Sequence, residues 1–198
     1  MTDLQISSAN DVRERVLAAA RVEVMARGIL GLRVINVAAA ANCSITSMYR
    51  YFGSREGMLA EVLVALYEES FAAQYAVMRD RVGGTGPLTV AAVIAAVPLP
   101  FGVTSQQDHA LRSQVLAVAG TNSILRGKLA ESLRARRRIL MTGLDNIEQR
   151  LPPGTLLDRE LLAALVFNVQ WQYNDLMGDA AVTNEQFLAL LRGLIVKK

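Results

Sequence analysis

Cysteine, histidine and tryptophan each occur once in these 198 residues, and aromatic side chains make up only 6%. A single cysteine closes no internal disulfide, which points to a reducing compartment. Cys43 and His109 stand far apart, so no metal-ligand spacing of the His/Cys kind exists, and no motif calls for a cofactor. Long hydrophobic runs are also missing. The longest apolar stretch, 88–101, contains two of the five prolines and falls short of the ~20 residues that cross a bilayer. The opening MTDLQISSANDVRERV has no basic segment followed by an apolar core, so no secretory leader is expected. These absences predict a cytoplasmic chain with no membrane partner. Charge of one sign is scarce as well: 21 Lys and Arg oppose 18 Asp and Glu. Residues 1–56 hold seven arginines against five acids, an excess too small to indicate a nucleic-acid partner by itself.

What is present is apolar periodicity. Hydrophobic residues form 52% of the chain and charged ones 20%, enough to bury a core and too balanced for disorder. The period is helical throughout, which predicts an all-α fold of nine helices. Val12, Val16, Ala20 and Val24 share one face of a first helix, capped by Ser8 or Asn10 and stopped at Gly28. A short second helix covers about 34–41. Ser44 caps a third through Phe52, and Ser54 caps a long fourth to about Arg81. After the linker GGTGP (83–87), helices are expected over about 88–97, 106–119 and 122–150. A further helix, over 156–177, has Thr155 as its candidate cap, and the last is opened by Thr183 over 183–196.

Residues 34–52 have the spacing of a helix-turn-helix. A short helix rich in alanine precedes the turn Asn42-Cys43-Ser44, and a capped helix of about two turns follows it. Ala38 is small where the two helices must approach closely. Asn42 is one of the few non-glycine residues that tolerate a left-handed backbone. Ile45, Thr46 and Ser47 put methyls and hydroxyls at the start of the second helix, where base edges of a major groove can be read. Tyr49, Arg50, Tyr51 and Arg55 follow with groups suited to phosphates.

The segment GILGLRVINVAAAANCSITSMYRYFGSREGMLAEVL (28–63) resembles the DNA-binding domain of the TetR family of bacterial transcription regulators. The likeness runs without a gap through Gly28, Ala38, Ser44, Tyr49, Tyr51-Phe52, Ser54-Arg55-Glu56 and Leu59, and 13–28 resembles the family's first helix. It implies a three-helix DNA-binding domain, 1–54, followed by a six-helix ligand-binding and dimerisation domain, 55–198. It also implies base contacts from Ile45, Thr46 and Ser47, and phosphate contacts from Tyr49, Tyr51 and Arg55, with Arg50 reaching either. Arg33 stands where the family commonly has a capping Thr and is a further candidate phosphate contact, and Ser44 at the next cap is a further candidate DNA contact. Asn42 stands where glycine is common.

In the second domain, Asn168, Gln170, Gln172 and Asn174 interrupt an otherwise apolar helix. Unpaired buried amides cost about 1–3 kcal/mol each, so they either line a ligand cavity or hydrogen-bond across an interface. Asn168, Trp171 and Gln172 are the candidate ligand contacts. By the resemblance the last two helices form a homodimer interface, with Phe167, Asn174, Phe187, Leu191 and Leu194 as candidates. The run Arg134-Ala-Arg136-Arg137-Arg138 reads as a solvated helix face, and Cys43 as structural. The expected function is a ligand-responsive regulator, most simply a repressor released from a pseudo-palindromic double-stranded operator by a small-molecule effector. The competing classes are a helical enzyme at Asp108/His109 or the Asn168–Asp175 face, and an adaptor that has lost DNA binding. No nucleotide loop, metal spacing or nucleophile motif supports an enzyme.

Overall fold

The computed structural model describes residues 3–97, 99, 103–167 and 177–197. Nine α-helices occur among them: α1 (Asp3–Arg27), α2 (Val34–Ala40), α3 (Ile45–Phe52), α4 (Arg55–Val82), α5 (Val90–Ala96), α6 (Val103–Thr121), α7 (Ser123–Arg150), α8 (Arg159–Phe167) and α9 (Asn184–Gly193). Two three-residue strands, β1 (Thr155–Leu157) and β2 (Ile195–Lys197), accompany them. The chain packs as two compact units, one of residues 1–68 with 114–131, the other of 69–113 with 132–198.

The first unit is organised by the apolar stripe of α1. Val16, Ala20 and Val24 are buried along it, and α2 and α3 pack on that helix through Val37, Ala38, Met48 and Phe52. Ala38 is only 4% exposed, and its carbonyl accepts the Cys43 amide at 3.0 Å. A larger side chain would push α2 and α3 apart. The first half of α4 completes the core with Met58, Leu63 and Leu66, joined by Val115, Leu125 and Leu129 from the 114–131 segment. Asn122 separates α6 from α7 and joins the start of α7 to the start of α4. Its Oδ1 accepts the Leu125 amide at 2.9 Å, capping α7, and its Nδ2 donates to the Glu56 carbonyl at 3.2 Å.

α1 begins at Asp3, upstream of the expected caps Ser8 and Asn10, which lie inside the helix. Leu4 and Gln5 are good helix formers, and an Asn or Ser in the way costs well under ~1 kcal/mol. Gly28, with φ 73°, ends α1 as expected.

Two apolar clusters occur among the described residues of the second unit. The larger includes Val82, Val93, Leu140, Leu144, Ile147 and Leu157, so α5 and the ribbon close over the C-terminal half of α7. The smaller joins Phe187, Leu191 and Leu194 of the α9 region, with Leu162 and Leu165 of α8 packed against it. The expected helix starting at Thr155 is corrected. Pro152-Pro153 stop α7, Gly154 turns at φ 81°, and Thr155–Leu157 runs extended, antiparallel to Ile195–Lys197 in the register Thr155↔Lys197, Leu156↔Val196 and Leu157↔Ile195. Asp158 caps α8 instead, its Oδ1 accepting the Leu161 amide at 3.0 Å. At the other end Thr183 caps α9 with a capping box closed by Gln186, as the sequence predicts for the start. The helix then stops at Gly193, and Ile195 enters the ribbon rather than a helical face.

Candidate nucleic-acid interface

The chain arrives at α3 through a turn that its own side chains build. Asn42 adopts φ 51°, the conformation its short polar side chain tolerates. Ser44 is then extended, its Oγ accepting the Ser47 amide at 3.0 Å and donating to the Ser47 hydroxyl at 3.0 Å. Ser47 thus closes the cap together with Ser44, which orients both hydroxyls. Ile45 and Thr46, between them, are exposed, while Met48 and Phe52 on the opposite face are buried. One face of α3 therefore anchors the helix and the other presents its N-terminal residues to solvent.

Around this face the aromatic and basic groups are ordered by contacts. Tyr49 and Tyr51 are half-buried. The Arg50 guanidinium lies 5.3 Å from the Tyr51 ring centre and donates to its hydroxyl at 3.3 Å, so the two form one stacked unit. Arg33 is exposed at the N-terminus of α2, where its side chain makes no capping bond. Arg55, half-buried at the start of α4, donates to the Leu32 carbonyl at 3.4 Å. That bond ties α4 to the loop before α2 while leaving most of the guanidinium's five donors for another acceptor.

The start of α4 is built for close approach. Ser54 Oγ accepts the Gly57 amide at 3.0 Å, the expected cap. A Cβ at Gly57 would lie 2.1 Å from the Phe52 carbonyl oxygen, so only glycine fits this corner.

Three supports escaped sequence reasoning because each includes a bond between residues far apart in the chain. Arg15 Nε donates to the Ala41 carbonyl at 3.1 Å, holding the C-terminus of α2. Glu23 accepts from Asn36 Nδ2 at 2.8 Å and pairs with Arg27 at 3.1 Å. Glu61 pairs with Arg13 and, at 3.5 Å, with Lys128. The cue in the sequence was only the number of charged residues on the outer side of α1.

Residues 16–62 match the family of bacterial regulatory proteins, tetR family. The matched segment takes in α2, α3 and the adjoining parts of α1 and α4. Solved structures share the fold over nearly its whole length. A proposed transcriptional regulator from Rhodococcus sp. RHA1 is 17% identical with a TM-score of 0.62, covering 92% of this chain and 94% of its own. A transcriptional regulator from Rhodococcus sp. Rha1 is 25% identical with a TM-score of 0.54, covering 90% and 91%. The multidrug binding protein EbrR, in complex with imidazole, is 20% identical with a TM-score of 0.58, covering 94% and 96%. No curated protein matches the sequence.

In the second domain, the expected ligand contacts Asn168, Trp171 and Gln172 lie outside the described residues, as does Asn174. Phe167 is half-buried with its ring 6.4 Å from that of Phe71. Phe187, Leu191 and Leu194 are covered by the chain's own second cluster. The apolar side chains that α8 and α9 leave exposed are their neighbours Leu161, Val166 and Leu190.

The arginine run divides. Arg134, Arg137 and Arg138 are exposed, Arg137 pairing with Glu160, as a solvated face requires. Arg136 turns inward, its guanidinium 5.6 Å from the centre of the buried Phe71 ring. Arg112 lies 4.4 Å from the same ring. A cavity of about 560 Å³ opens between α4 and α7, bordered by Arg136. No described helix is long and apolar enough to cross a membrane, and no group of three or more His, Cys, Asp or Glu gathers among the described residues.

Proposed function

We propose that the protein is a cytoplasmic, ligand-responsive transcriptional regulator, acting as a homodimeric repressor on a pseudo-palindromic operator. The observation that carries this is the capped, outward-facing start of α3 within a TetR-family head. Ile45 and Thr46 are exposed there, with the Ser44 hydroxyl bonded to the Ser47 hydroxyl and amide. In this reading those four residues meet base edges in the major groove. Arg33, Tyr49, the Arg50–Tyr51 stack and Arg55 hold phosphates at its rim.

The functional division falls at 1–54 and 55–198, with 55–198 sensing an effector and forming the dimer. The second copy covers Leu161, Val166 and Leu190, which the chain leaves exposed on α8 and α9. A C2 pair then presents two α3 helices to successive major grooves. An effector favouring a different spacing of the heads shifts the population away from the DNA-competent state, by no more than its differential affinity for the two states.

The test is binding of the purified chain to DNA upstream of its own gene across a salt series. The expected result is a sequence-specific shift whose affinity falls steeply with salt and is lost on Thr46→Ala combined with Tyr49→Ala, with the fold intact by circular dichroism. Equal binding to shuffled DNA, or no binding at any neighbouring intergenic region, overturns the reading.

A further inference from the structure

We propose that the cavity between α4 and α7 binds an uncharged, mainly hydrocarbon molecule. This rests on the reading of the second domain as an effector sensor and names the effector's chemical class. The cavity lies wholly within the second unit, and its volume of about 560 Å³ suits a small molecule, since such sites span about 300–1,000 Å³.

The space comes from small side chains. Ala72 and Ala76, one turn apart on α4, border the cavity, as does Gly143 on α7. Glycine weakens a helix interior relative to alanine, yet a Cβ at Gly143 would find nothing within 4 Å. The missing side chain leaves room rather than relieving a clash. Val82, Leu140 and Ile147 line the same cavity and are buried in the second unit's larger apolar cluster. Ile139, one turn before Gly143, also borders it and is 71% exposed. A hydrocarbon seated there covers that isoleucine, and the favourable free energy grows with the apolar area taken from water.

The polar groups decide against a charged head. Among the described residues Arg79, Arg136, Thr142 and Asn146 border the cavity. The Thr142 hydroxyl donates to the Arg138 carbonyl at 3.1 Å, and Asn146 Oδ1 accepts from Arg150 at 3.1 Å. Arg136 is engaged within the protein, its guanidinium 5.6 Å from the centre of the Phe71 ring. Arg79 is well exposed with Asp80 3.7 Å away, and a pair so placed in water contributes little. An ionised head of either sign would exchange its hydration for groups that already have partners, which is unfavourable. A neutral molecule loses little hydration and keeps the apolar contribution.

The test titrates the full chain by calorimetry with octan-1-ol, octanoate and octylammonium, three probes of one tail and different heads. Two temperatures are used, because apolar burial is marked by a change in heat capacity. Octan-1-ol is expected to bind at least about tenfold more tightly than either ion. Gly143→Leu, which fills the cavity, is expected to abolish binding, and Gly143→Ala to retain it. Ile139→Ser is expected to weaken octan-1-ol about fivefold. Thermal melts of each variant verify folding, and Ile139→Ser, at an exposed position, serves as the readout should Gly143→Leu fail to fold. The proposal is overturned if either ion binds as tightly as the alcohol, or if octan-1-ol affinity is unchanged in a folded Gly143→Leu or in Ile139→Ser. It is overturned too by no heat from octan-1-ol at millimolar concentration at both temperatures. DNA binding of the parent is measured without any probe. Its absence beside normal octan-1-ol binding counts against the regulator alone, and octan-1-ol failure beside normal DNA binding counts against the cavity alone.

Discussion

Around α3 of the head, each helix end is closed by a residue next to it in sequence, whereas much of the second unit is closed by residues far away along the chain. Ser44 caps α3 and Ser54 caps α4, and Asn42 and Gly53 turn with positive φ just ahead of them. In the second unit Thr89 and Thr183 still cap locally. The linker 83–87, however, is held by one side chain at the end of α7. Arg150 donates to the carbonyls of Val82 at 2.7 Å, Gly86 at 2.7 Å and Gly83 at 3.3 Å, and its own carbonyl accepts the Leu88 amide at 2.8 Å. The ribbon is a second long-range tie, with Leu157 donating its amide to Glu148 Oε1 at 2.9 Å and Asp158 to the Leu194 carbonyl at 2.9 Å. The turn and caps around α3 are thus set locally, while Arg15 and Glu61 tie the head's helices to one another. In the second unit the linker and the ribbon are set by partners far along the chain.

The largest test of this contrast is Met48→Ala, which empties a fully buried position between α3 and the rest of the head. It is expected to cost about 3 kcal/mol in urea unfolding and to abolish DNA binding; a loss below half of that would mean the small head core collapses around the gap. Next comes Arg150→Ala, expected to cost about 2 kcal/mol because it leaves several linker carbonyls without their charged donor. Its protection loss in hydrogen exchange should be confined to residues around 82–88, and uniform loss along the chain would contradict the clamp.

Ser44→Ala should cost about 1 kcal/mol, and Ser44→Gly only a few tenths, the pattern of a helix cap. Equal costs for the two would show that the hydroxyl does not cap. Thr155→Val is expected to stabilise by about 1 kcal/mol, since the Thr155 hydroxyl is buried with no hydrogen-bond partner among the described residues; a melting temperature that falls would reveal a partner. The smallest effect is Arg33→Ala, which leaves stability unchanged and lowers the salt slope of DNA binding by about one. An unchanged slope would remove Arg33 from the phosphate contacts.

Legibility followed the same divide. The head's turn, caps and buried faces were readable because Ser44, Asn42, Ala38 and Ser54 each act within a few residues of themselves. The inward turn of Arg136 was not, because a run of arginines looks alike on every face until Phe71 and Arg112 are placed beside it. Arg15 and Glu61 were hidden for the same reason, since their partners lie on other elements.

The sequence by itself determined an all-helical chain, the helix-turn-helix and the side chains that α3 presents, since helical period, capping hydroxyls and left-handed tolerance are properties of neighbouring residues. Tertiary structure alone decided the ribbon. Three residues are too few to distinguish a strand from a helix end, and Thr155–Leu157 becomes extended only where Ile195–Lys197 returns to pair with it. It also decided which leucines of α9 are inside. Leu191, and Leu194 just past the helix, face the chain's own cluster and Leu190 faces out, a choice set by where α8 and α5 pack rather than by any residue of α9.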